Sequence, residues 1–144
     1  DQLGSKNQNV KAERKAKVSF EQGGMLGVQF EEEIASFADD GQGDKVQAVA
    51  QALSDCPKLT IVDGSDRTPM TMTGLSFPNL GDQTLAFRAT ARAEGVDVVL
   101  DVVFVAVGHN IVSFTAAGLQ PMSGTDLEAV ARTGMSKVAV AAKS

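Results

Sequence analysis

The 144-residue chain has no Trp, no Tyr, one Cys, one His and four Pro. A lone Cys excludes an internal disulfide, and one Cys with one His excludes Cys/His zinc sites. At most one Cys-His dyad is left for nucleophilic catalysis. No apolar run is long enough for a membrane span or the core of a signal peptide. The G-x-S-x-G elbow, the phosphate loop and G-x-G-x-x-G are all missing. The residues alone therefore assign nothing beyond a globular α+β domain.

What is present is ordinary globular composition, 43% hydrophobic and 22% charged, in a length typical of one domain. The net charge of −5 is unevenly spread. Residues 1–17 hold five basic side chains (Lys6, Lys11, Arg14, Lys15, Lys17) against two acidic ones, which leaves the remainder strongly acidic. An acidic body argues against nucleic-acid binding, which depends on clustered Lys and Arg. It suits a cationic partner, although acidity is also a common route to solubility.

The chain begins at Asp1 without Met, which reads as a processed or trimmed product or a fragment. Residues 1–17 are expected to form a flexible basic tether and 18–144 a single domain, because Leu3 to Val10 offers little to bury. A polar spacer with a basic end suits a protein held at a membrane, where each Lys or Arg gains about 1 kcal/mol from anionic lipid.

The patterns predict one mainly antiparallel sheet of five to seven strands with two main helices. Strands are expected at Val18–Glu21 and Met25–Phe37, the second placing Val28, Phe30 and Ile34 on one face. Phe30-Glu-Glu-Glu-Ile-Ala equally suits a short helix, Glu being a poor strand former. A helix capped by Asp44 should run to about Asp55, with Val46, Val49, Ala50 and Leu53 as its apolar stripe. Strands at Lys58–Asp63 and Met70–Phe77 should flank a turn-rich segment ending at Pro69.

The sharpest expectation concerns Thr84–Ala93 and Val96–Val107, joined at Glu94-Gly95. A two-residue turn there sets Arg92 opposite Asp97 and Arg88 opposite Asp101, and leaves the other face apolar. A slip of one residue would scatter both sets, so the register is well specified. A second hairpin at Gly108-His109 returns the chain through Asn110–Ala117. The last helix should start at a capping box, Thr125-Asp-Leu-Glu128, and run toward Lys143. Its stripe is Leu127, Val130, Ala131, Met135, Val138 and Ala142, with Gly134 allowing close approach to the sheet.

Catalysis finds little support. His109 falls in a tight turn, where a surface role outweighs that of a general base. Cys56, at a helix end before Pro57, is expected to be a small buried apolar residue. Asp39, Asp40 and Asp44 lack the spacing of a calcium loop, so neither a metal nor a cofactor is expected. Glu31, Glu32 and Glu33 cannot all point one way on a strand, whereas Met70 and Met72 share a face.

A resemblance extends these readings. Lys45 to Pro57, the strand patterns Leu85–Arg92, Val98–Gly108 and Asn110–Phe114, and the helix Asp126–Arg132 together resemble small extracytoplasmic lipoproteins of actinobacteria. These include domains similar to the extracellular sensor of PknH-type kinases, which are disulfide-stapled where Cys56 stands alone. The size, acidic body and basic tether most resemble lantibiotic self-resistance lipoproteins of the MlbQ type. That resemblance implies a monomeric, non-catalytic protein, lipid-anchored to the outer face of the membrane, that intercepts a cationic amphipathic peptide. Glu31, Glu32, Glu33, Asp39 and Asp40 would supply an acidic rim, and Met70 and Met72 an apolar floor. An extracytoplasmic ligand-sensing or accessory domain of a signalling system is the alternative, and a small enzyme a more distant one.

Overall fold

The computed structural model describes residues 12–24 and 27–143, with side chains through Ala139. Seven strands and two helices follow one another as β1 (Arg14–Gln22), β2 (Val28–Ser36), α1 (Gln42–Asp55), β3 (Lys58–Asp63), β4 (Asp66–Gly74), β5 (Gln83–Ala93), β6 (Val96–Val107), β7 (Asn110–Gly118) and α2 (Gly124–Lys143). All strands join one antiparallel sheet in the order β1-β2-β7-β6-β5-β4-β3. The architecture is α+β, as the patterning predicts. Glu31 to Glu33 extend as strand, because β1 and β7 pair with β2 on both sides and outweigh the helical preference of Glu.

The two helices cover opposite faces. Alternation along β6 and β7 sends Val103, Val105, Val112 and Phe114 to one face, where Leu127 and Ala131 of α2 meet them. Leu127 is 1% exposed and Phe114 is fully enclosed. Phe87, Ala89, Val102 and Ala106 point the other way, beneath α1 and its buried Val46. Val49, expected on the same stripe, is 43% exposed. The contacts of α1 fall on β5 and β6, and they leave Val49 only partly covered.

The β5–β6 ladder has the expected register throughout, Arg88 opposite Asp101 and Arg92 opposite Asp97. The two ion pairs differ in kind. Arg92–Asp97 spans 3.4 Å in the open, with both side chains more than two-thirds exposed, where such pairs contribute little. The Asp101 carboxylate is enclosed, with Arg88 Nε at 2.6 Å and Nη2 at 3.2 Å. The backbone N–H of Met122 donates to the same carboxylate at 3.0 Å, so a charge placed by the hairpin holds the segment that launches α2. Asp101 in turn raises the pKa of the Arg88 guanidinium above its ordinary value, chiefly through their hydrogen bond.

Several boundaries differ from expectation, each for a local reason. Arg14 to Lys17 belong to β1 rather than to a tether, since Lys15 and Lys17 pair with Glu33 and Glu31 across the ladder. The remainder of the tether through Lys11, and Met25 of the second strand, lie outside the described residues. Asp44 sits in the first turn of α1 rather than capping it; the helix starts two residues earlier, where Gln42 Nε2 donates back to the Asp39 carbonyl and carboxylate. Strand β4 starts at Asp66 because a two-residue turn at Gly64-Ser65 suffices, Gly64 taking φ +59°. Its ladder to β5 stops at Met70, next to Pro69, which has no N–H to donate. Beyond Gly74 the chain leaves the sheet, and Leu75, Phe77 and Leu80 pack against the core instead.

The box that starts α2 is Ser123-Gly-Thr-Asp126 rather than Thr125 to Glu128. Ser123 Oγ accepts from the Asp126 N–H at 3.1 Å and donates to its carboxylate at 2.7 Å. Cys56 is exposed rather than buried, its thiol donating to the Lys58 carbonyl at 3.2 Å. Replacing Asp101 by Ala strands Arg88 and frees Met122, so we expect a loss of about 3 kcal/mol in urea unfolding. Replacing Asp97 by Ala should cost under about 1 kcal/mol in the same measurement.

Candidate functional site: a groove between the sheet edge and α2

Helix α2 packs on β6 and β7, and between it and the strands β1 and β2 two cavities remain open. On this face β2 presents Phe30, Glu32 and Ile34, and β1 presents Ala16, Val18 and Phe20, because the ladder pairs Phe20 with Phe30 and Ala16 with Ile34. A cavity of about 420 Å³ lies between Phe20, Val28 and Phe30 on the strands and Ala129, Val130 and Gly134 on the helix, with Met122 also in its wall. A second, of about 240 Å³, continues it along β1 between Val18, Ile34 and Val138. Glu32 and Lys137 line both. Together they make one apolar groove with a polar waist.

Gly134 makes this groove. A methyl group at its Cα would stand 2.3 Å from the Phe114 ring and 2.9 Å from the Glu32 carboxylate, both shorter than atoms allow. Its bare backbone lets α2 settle onto Phe114 while Glu32 lies against the helix. Val18 and Phe20, 42% and 54% exposed, form the outer lip.

The three glutamates are divided by the alternation of β2. Glu31 meets Lys17 at 2.6 Å and Glu33 meets Lys15 at 3.6 Å, both on the α1 face. The hydrogen bond to Glu31 raises the Lys17 pKa above its ordinary value. Glu32 turns into the groove and is half-buried, and among the described residues it has no ion-pair partner. A carboxylate against apolar side chains without a partner is the feature most open to a ligand cation.

The set expected to form a peptide site is not assembled. Glu31 and Glu33 share the α1 face with Met70 and Met72, but four strand spacings separate β2 from β4 in the sheet, roughly 19 Å. Met70 lies in a row with Leu59, Ala91 and Val98. Met72 closes a small pocket under the end of α1 with Ala50, Leu53 and Phe87. Asp39 is bound by Lys45 at 3.2 Å and by Gln42, and the Lys45 hydrogen bond lowers its pKa below the usual carboxylate value. Asp40 is exposed beside it. Of the seven residues, Glu32 alone lines the groove. Sequence reading missed Phe20, Phe30, Met122, Val130 and Lys137 as site residues, because no local pattern says how α2 seats over β1 and β2. The alternation of Val18 and Phe20 with Lys17 and Glu21 was the one available signal.

His109 is exposed in the β6–β7 turn, where its carbonyl accepts from the Phe37 N–H at 2.9 Å. Among the described residues no three metal-ligating side chains come together, and no helix is long and apolar enough to cross a membrane.

No family model and no curated protein matches this chain. Its fold has a solved counterpart. The chain is similar to the extracellular domain of PknH from Mycobacterium tuberculosis, with a TM-score of 0.62 at 13% identity over 85% of this chain. It covers 64% of that domain, and the likeness is one of fold. Adding a methyl at Gly134 should lift α2 from the sheet: Gly134→Ala is expected to lose about 1–3 kcal/mol in urea unfolding, against a gain of about 1 kcal/mol for an unhindered Gly elsewhere in a helix.

Proposed function

We propose that this chain is an extracytoplasmic ligand-binding domain, of the sensing or accessory kind, that takes an amphipathic ligand into the groove beside α2. One observation carries the reading: Glu32, half-buried in an apolar groove of about 420 Å³ that Lys137 also lines, has no ion-pair partner among the described residues. The ligand therefore presents an apolar edge to Phe20, Phe30 and Val130 and an ammonium or guanidinium to Glu32. The likeness in fold to an extracellular domain supports the compartment. The reading assigns the groove a binding role; His109 and Cys56 line neither of its cavities.

A second reading is favoured by the same carboxylate together with the net charge of −5. A cationic amphipathic peptide antibiotic fits a groove of this polarity, and a lipid-anchored copy at the outer membrane face would intercept it, as in lantibiotic self-resistance. The two readings share the site and differ in consequence. Interception protects a sensitive cell, whereas sensing leaves its sensitivity unchanged.

Titration of the labelled protein with a lysine- and leucine-rich amphipathic peptide, and in parallel with a lantibiotic, tests the site. Resonances of Phe20, Phe30, Glu32 and Val130 should shift, and Glu32→Gln should weaken binding about tenfold, the effect of losing one charge-assisted hydrogen bond. Shifts confined to Met70 and Met72 would overturn the assignment. Expression of the anchored protein in a lantibiotic-sensitive host then separates interception from sensing, protection that is lost with Glu32→Gln being the signature of interception.

A further inference from the structure

Strand β1 is one end of the seven-stranded sheet, and all nine of its residues are exposed. An edge of this length offers its outward N–H and C=O groups to another strand. Its two faces differ. Lys15, Lys17, Ser19 and Glu21 point to the α1 side, and Ala16, Val18 and Phe20 to the groove side.

We propose that β1 is the homodimer edge of this protein, pairing antiparallel with β1 of a second copy about a two-fold axis at Val18, so that two sheets become one and each groove is completed by its partner's Phe20. An antiparallel pair related by two-fold symmetry has its axis normal to the sheet, so facing residue numbers sum to an even value. Centring on Val18, the midpoint of Arg14–Gln22, uses all nine residues. Lys15 then faces Glu21 of the partner subunit, twice by symmetry. Ala16 faces Phe20 of the partner subunit, and Val18 meets its own copy. Charge meets charge on one face and apolar meets apolar on the other. Centring on Lys17 opposes two ammonium groups, and centring on Ser19 leaves Arg14 and Lys15 opposite the Gly23-Gly24 turn.

The other edge has no such solution. In β3, centring on Thr60 opposes Lys58 to Val62, and centring on Ile61 opposes Leu59 to Asp63. Both set an apolar side chain against a charge, so self-pairing is specific to β1.

The axis normal to the sheet keeps both α2 helices on the same face, so the two grooves open toward one seam. Ala16 lines the continuation of the groove, and the partner's Phe20 lies beside it, adding an aromatic wall that one copy lacks. A single strand edge buries less than the roughly 1,600 Å² of a standard interface, so a weak, concentration-dependent dimer is expected.

Sedimentation equilibrium of the full chain without ligand should show concentration-dependent association of the 15.0 kDa protomer to a dimer. Val18→Lys sets two ammonium groups face to face at the axis while lying beside Glu32 within its own sheet, so it keeps the fold and weakens association roughly tenfold. In a Cys56→Ala background, Val18→Cys should oxidise to a covalent dimer, because directly opposed positions lie within disulfide reach, whereas Ser19→Cys should not. A protein that stays monomeric at millimolar concentration overturns the proposal, as does a dimer insensitive to Val18→Lys or equal cross-linking at both positions. Association is read without ligand, so these outcomes are independent of whether the groove binds a cationic peptide.

Discussion

The enclosed carboxylate of Asp101 is the constraint on which the arrangement depends. It lies where β5, β6 and the segment before α2 meet, satisfied by two nitrogens of Arg88 and the N–H of Met122. A buried charge is tolerated only when its acceptors are used, so the hairpin register and the path of residues 119–123 cannot change independently. From Met122 the chain turns directly into the Ser123 cap and α2. The direction in which α2 crosses the sheet, and hence the strip left uncovered above β1 and β2, follows from that anchor.

Glycine completes what the ion pair begins. The anchor fixes where α2 starts, and Gly134 fixes how closely it lies, three helical turns further on. Phe114 fills the space beneath Gly134 and Glu32 reaches alongside. The groove is thus the gap between a helix held tightly at its centre and a sheet that extends two strands beyond it. Its carboxylate comes from β2, whose alternation puts Glu32 in the groove and Glu31 and Glu33 in ion pairs on the opposite face, while β1, β2 and α2 share the apolar lining.

Much of the fold was legible before any coordinates. The β5–β6 register could be read to the residue because two independent sets, charge pairs and an apolar face, agreed on one alignment. The role of Gly134 followed from a glycine within an apolar helical stripe. Ends were less legible. Ser123-Gly-Thr-Asp126 and Thr125-Asp-Leu-Glu128 overlap as capping boxes, and only the path out of Met122 selects the first. The candidate site was least legible: Met70 and Met72 stand near the acidic residues of β2 in composition alone, while the sheet order β2-β7-β6-β5-β4 puts three strands between them.

The sequence by itself determined the fold class, the β5–β6 register and most of the apolar stripe of each helix, because alternation, turn chemistry and charge matching act between near neighbours. The tertiary structure alone decided that β2 pairs with β7, that the helices cover opposite faces, and that Glu32 rather than Glu31 or Glu33 faces the groove. Those outcomes depend on the closure of a loop of over seventy residues between β2 and β7 and on the seating of α2. Both are decided by the summed burial of side chains far apart in the chain, for which no local pattern carries the information.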